Sequence, residues 1–119
     1  MATFIFTQLD VWKKAHQLAL KTYKATEAFP RKEQFRLTQQ ACAAAASVAG
    51  NIAEGYGRRK PRDKMRLYNQ SEGSLQELRY WYILAKDLGY VAEAASPFDL
   101  ICDVESMLRR LIAAIGRDL

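Results

Sequence analysis

Little in this chain of 119 residues ties it together other than a core. It has two cysteines, three prolines, six glycines and a single histidine. Cys42 and Cys102 lie far apart, each inside an apolar pattern of helical period. Each reads as a small buried residue rather than half of a disulfide or a metal ligand. Such thiols suit a reducing compartment. His16 sits beside a Trp12, Ala15 and Ala19 stripe and reads as a core-edge or surface residue. No metal and no cofactor are expected. No segment alternates apolar and polar with period two over a convincing length, so no strand is predicted. Long hydrophobic runs are missing too. The small-residue stretch from Ala41 to Gly50 is about half of the roughly 20 residues a bilayer span needs, and it ends at Asn51. The opening MATFIFTQLDVW has no basic n-region, and its apolar run is too short for a signal peptide. The expectation is a cytoplasmic protein with no membrane partner.

What is present is the composition of an ordinary globular domain, half hydrophobic and a quarter charged. By length it is one domain, residues 1–119, burying roughly two-thirds of the surface of its unfolded chain. The formal charge of +5 favours an acidic partner such as nucleic acid, or no partner at all, since many basic proteins are merely soluble.

Four amphipathic helices are predicted, at about 8–28, 33–55, 61–88 and 97–116. In the first, Trp12, Ala15, Ala19, Tyr23 and Thr26 recur at three- and four-residue steps, widened by Leu9, Val11 and Leu18, with Thr7 as N-cap. It ends near Phe29-Pro30. The second starts around Lys32 to Phe35. Leu37, Ala41, Ala44, Ala45, Val48 and Ile52 form its apolar line, and Gly50 is expected at a close helix–helix approach. Gly55 and Gly57 are expected to close it in the left-handed conformation. Pro61 opens the third helix, whose stripe is Met65, Tyr68, Leu75, Leu78, Tyr82 and Ala85. Ser74 with Glu77 imitates a capping box, but the stripe stays in phase across it and one helix is predicted. Gly89 is the C-cap. Ser96-Pro97 opens the fourth helix, with Phe98, Ile101, Val104, Leu108, Leu111, Ile112 and Ile115 on its apolar side. Four such helices on short turns bury their stripes most simply as an all-α, antiparallel up-down-up-down four-helix bundle.

The patterns LDVW near the start, FP…E…L…Q after the first helix, NIAEG with a basic tail, GSLQEL and LGY resemble the four-helix bundle family also called S23, or 23S rRNA intervening sequence proteins. The resemblance runs from Leu9 to about Tyr90; the fourth helix matches only in type. It implies a left-handed antiparallel bundle assembled as a homopentamer. Some members are encoded in sequences that interrupt 23S rRNA genes. A related branch, the accessory variability determinant proteins of diversity-generating retroelements, engages a reverse transcriptase and nucleic acid. The family implies no catalytic residues. What transfers is the set of motif positions Asn51, Ile52, Ala53, Glu54, Gly55, Gly73, Ser74, Leu75, Glu77 and Leu78.

Three constellations stand out. Asn51 and Glu54 share a helical face, and Glu77, Arg79 or Tyr80 could face them from the third helix. A structural polar network of Asn51, Glu54 and Glu77 that fixes register is the first reading; a site with paired carboxylates is the second. The second constellation is cationic: Arg58, Arg59, Lys60, Arg62, Lys64 and Arg66, opposed only by Asp63 and flanked by Tyr56 and Tyr68, which could stack on unpaired bases. Phosphate contact competes there with a solvated face and with carboxylates of a neighbouring subunit. Third, Tyr80, Trp81 and Tyr82 are consecutive, so at least one faces outward. With Phe4 and Phe6 they point to self-association.

The sequence therefore reads as a non-catalytic, nucleic-acid-associated binding protein that contacts RNA or DNA phosphates through Arg58, Arg59, Lys60, Arg62, Lys64, Arg66 and Tyr56. The alternative is a protein–protein adaptor, for example an accessory subunit of a reverse transcriptase. An enzyme is a distant third. Expected partners are other copies of the chain, RNA or DNA, and a protein.

Overall fold

The computed structural model describes residues 5–92 and 97–119. These form four helices, α1 (Asp10–Thr26), α2 (Leu37–Gly57), α3 (Pro61–Asp87) and α4 (Phe98–Gly116), with single 3₁₀ turns at Phe6–Gln8 and Arg31–Glu33. There is no strand among the described residues. Helix α3 is about 40 Å long at 1.5 Å per residue and sets the 44 Å long dimension of the molecule.

Direct bonds fix how the helices run. Between α2 and α3, Ser47 Oγ and Ser74 Oγ are 2.8 Å apart, Ser71 Oγ donates to Val48 O at 2.7 Å, and Gly55 meets Tyr68 and Leu67. As one residue number rises the other falls, so the two helices are antiparallel. Likewise Arg79 meets Glu105, Glu72 meets Arg109, and Met65 reaches the position of Gly116, so α4 is antiparallel to α3. The bundle is all-α, as predicted. The core takes Leu18, Val48, Ile52, Leu75, Leu78, Ile101, Val104 and Leu108, all fully buried, with alanines of α1 and α2 between them. Small side chains on α2 let α3 come close enough for serine-to-backbone bonds across the seam.

Several local expectations are corrected. Thr7 belongs to the first 3₁₀ turn, and α1 begins at Asp10 after Leu9. The buried side of α1 is Val11, Ala15, Leu18, Ala19, Thr22 and Thr26; Tyr23 is 54% exposed. Thr22 was passed over because it is polar. It is tolerated because its Oγ1 donates to Leu18 O and accepts from Tyr82 OH, both at 2.8 Å, so no buried polar atom is left unpaired. A 3₁₀ turn occupies Arg31–Glu33, so α2 begins only at Leu37. Ser96 and Phe4 lie outside the described residues. Phe6 packs edge-on against Trp12 of the same chain, centroids 5.3 Å apart.

The glycines divide differently from expectation. Gly55 and Gly57 remain helical, and Gly89 is the one residue with positive φ among those described, at 80°. Around Gly89 the Tyr90 N–H donates to Ala85 O and the Gly89 N–H to Lys86 O, the pair of bonds that closes a helix through a left-handed residue. Gly50 faces open space, whereas a Cβ on Gly55 would lie 2.6 Å from Tyr68 Cε1. The close approach is therefore at Gly55, five residues later than predicted. Neither cysteine is fully buried: Cys42 is half-buried and Cys102 exposed, and both are free thiols.

Candidate nucleic-acid interface

The turn from α2 to α3 has three residues, Arg58 to Lys60. It is pinned by the Arg58 N–H to Gly55 O at 3.2 Å and by one side chain from the far helix. Lys64 belongs to the first turns of α3, where the helix dipole disfavours a cation. Its ammonium instead donates to the last carbonyls of α2, Gly55 O at 3.2 Å and Tyr56 O at 2.8 Å. There the dipole and the C-terminal carbonyls of α2 favour positive charge. The same ammonium lies 5.5 Å above the Tyr56 ring. Burial lowers its pKa from the usual lysine value. Lys64 is thus committed to closing the turn, and its place in the predicted phosphate-contact set is withdrawn.

Arg58 is partly committed, bonded to Glu54 Oε1 at 2.8 Å on the surface. Arg59, Lys60, Arg62 and Arg66 are exposed and have no carboxylate partner among the described residues. Arg62 and Arg66 are four apart, so they stack on one helical face about 6 Å from each other. Tyr68 cannot stack on a base. It is 2% exposed, sealed against Gly55, and desolvation raises its pKa. Tyr56 is half-buried beneath Lys64.

The predicted network of Asn51, Glu54 and Glu77 does not assemble. Asn51 Nδ2 donates to Ser47 O and Ser47 Oγ, both at 2.9 Å, and Ser47 continues to Ser74. Glu54 turns out to Arg58, and Glu77 accepts from Trp81 Nε1 at 3.2 Å on the surface. A seam this narrow holds hydroxyls and an amide; two carboxylates inside it would be buried without counter-charge, which is costly. The strong ionic group lies elsewhere. Glu105 accepts from Arg79 at 2.9 Å and from Gln76, with Arg109 at 3.4 Å. The Arg79 and Gln76 bonds hold its pKa down at about 2. It locks α4 onto α3.

The family-like motifs turn out to be pairs. NIAEG ends in Gly55, which receives Tyr68 of α3, and GSLQEL supplies Ser74, the partner of Ser47. Glu33, from the stretch after Phe29-Pro30, is 3% exposed and accepts from Tyr90 OH at 2.9 Å. It also pairs with Arg36 at 3.1 Å. The Tyr90 bond, with Arg36 behind it, lowers its pKa. Tyr90 is the last residue of LGY and packs on Phe29 as well, centroids 5.7 Å apart. A sequence profile of the 23S rRNA-intervening sequence proteins matches residues 7–112.

The chain belongs to the 23S rRNA-intervening sequence protein family.

No curated protein matches it. Among solved structures it is similar to a protein of unknown function from the S23 ribosomal protein family of Bacteroides thetaiotaomicron. That likeness has a TM-score of 0.77 at 20% identity, over 86% of this chain and 97% of the other. The family match to residue 112 runs into α4, where the motifs thin out. Among the described residues of this family member no three His, Cys, Asp or Glu side chains come together as a metal-ligand set. No helix is long and apolar enough to cross a membrane.

Proposed function

We propose that this protein is a non-catalytic nucleic-acid-associated binding protein that holds phosphates with Arg59, Lys60, Arg62 and Arg66, assisted by Arg58. The observation that carries this reading is the unspent charge of those four side chains at one end of the bundle. The molecule's other charged groups at helix contacts, Glu33, Arg79 and Glu105, are matched within the fold; these cations are not. Helix stability does not account for Arg62, which begins α3 where the dipole opposes it. A homopentamer, the assembly that the family resemblance implies, would repeat the cation group around a ring and multiply its avidity.

The test is a filter-binding titration of structured RNA over a salt series. Three to five phosphate contacts give a slope of log affinity against log salt of about −3 to −4.5. Replacing Arg59, Lys60, Arg62 and Arg66 by alanine should remove both affinity and slope while light scattering shows unchanged mass. A wild-type slope near zero ends the proposal.

A second reading, an adaptor that docks a protein, is favoured by one feature at the opposite end. Leu37, Trp81, Leu84 and Leu88 line a cavity of about 280 Å³, beside Phe35, which is 80% exposed. An unchanged salt slope in the quadruple variant would move weight to this reading.

A further inference from the structure

We infer that the cation surface takes paired, double-stranded nucleic acid and grips its two phosphate rails without reading or stacking its bases; this rests on the phosphate-binding reading above. Proteins that hold single strands combine a basic groove with aromatic platforms on which successive bases lie. Here the two tyrosines that flank the cations are not available as platforms. Tyr68 is buried against Gly55, and Tyr56 is held under the Lys64 ammonium that closes the turn. The cavities of about 260–300 Å³ lie at the far end, around Glu33, Thr26 and Tyr90.

What is left at this end is a firm, open surface of cations. Its supports are a three-residue turn and helix termini, with no long loop to wrap a flexible strand. A firm scaffold suits a rigid array of phosphates, because on contact the ordering cost is confined to the cationic side chains and no loop has to be fixed as well. The array is also wider than the α2–α3 turn. Met65 reaches within 3.6 Å of where a Cβ on Gly116 would stand, so α4 ends beside the start of α3. The next residue, Arg117, is exposed. The cations thus come from the turn, from α3 and from α4, across the end of a molecule 30 by 25 Å in section. The phosphate rails of a duplex stand about 12 Å apart across the major groove of B-DNA, a gap such a surface spans. Arg117 completes this surface.

The experiment is fluorescence anisotropy with four labelled probes of two helical turns' length: an RNA duplex, a DNA duplex, oligouridylate and oligodeoxythymidylate. Both duplexes should bind about tenfold tighter than either single strand, with steeper salt slopes. Arg117→Ala should weaken duplex binding about threefold, and Tyr56→Leu, checked for intact helicity by circular dichroism, should leave it unchanged. A preference for one duplex would identify the source of the phosphates, and the inference holds either way. Single strands binding as tightly as duplexes, or a tenfold loss with Tyr56→Leu, would overturn it while leaving phosphate binding standing. No binding by any probe would overturn both.

Discussion

The two ends of this bundle are built on opposite principles. At the α2–α3 turn the chain reverses in three residues, Tyr68 packs buried against Gly55, and four exposed cations have no carboxylate partner among the described residues. At the other end the chain takes ten residues, 27–36, to pass from α1 to α2, and cavities open between the elements. There the buried charge is matched: Glu33 is held by both Tyr90 and Arg36. One end is packed tightly and carries a cluster of exposed cations; the other is packed more loosely around a buried carboxylate that is matched within the fold. The clustering of cations at the turn, rather than their overall excess, is what the proposed phosphate contact rests on.

The contrast can be broken most severely by exchanging its terms. Removing Arg59, Lys60, Arg62 and Arg66 should lower RNA affinity about a hundredfold at low salt. Neutralising Lys24, Arg31 and Lys32 at the far end should change it less than twofold by the same filter assay. Next, Gly55→Ala drives a methyl into Tyr68 and should cost about 2 kcal/mol in urea unfolding. An unchanged midpoint would mean that the tight end is not tight. Third comes acid. The pKa of Glu105 falls from 4.5 to about 2 in the fold, and that of Glu33 is lowered as well. A depressed carboxylate stabilises above its unfolded value, so stability should be present above about pH 4.5 and drain away as pH falls towards 2. Glu105→Gln should lower stability at pH 7 by about 1–3 kcal/mol and flatten that acid limb. The smallest effect has the opposite sign. Gly50 is exposed and faces open space, so Gly50→Ala should raise stability by about 0.5–1 kcal/mol, read in the same urea titration.

The helices were legible because their periodicity is strong: every residue of the predicted α2 line is buried, and the uninterrupted α3 follows from its stripe staying in phase across Gly73-Ser74. So was the outward turn of one aromatic in Tyr80-Trp81-Tyr82, since Tyr82 is 3% and Tyr80 54% exposed. What the residues did not disclose was pairing between helices. Asn51 suggested carboxylate partners by spacing on one helix, but the width of the seam selected Ser47 and Ser74. Gly50 and Gly55 look alike in sequence; only the position of Tyr68 on another helix separates them. Lys64 looked like one more cation, because nothing in the order of residues says that an ammonium will reach back over a turn to the preceding helix. The bond between Glu33 and Tyr90 spans 57 positions, and no local pattern carries it. Single-helix facts were readable, whereas facts about two helices at once needed the fold.

The short reversal between α2 and α3 also has a kinetic consequence. Closing three residues costs little loop entropy, and the contacts it delivers, from Gly55–Tyr68 out to Ser47–Ser74, lie near in sequence. This hairpin is therefore the expected nucleus of folding, with α1 and α4 condensing on it afterwards. Substitutions such as Ser71→Ala should slow refolding nearly in proportion to their effect on stability, while Thr22→Val on α1 should act chiefly by speeding unfolding.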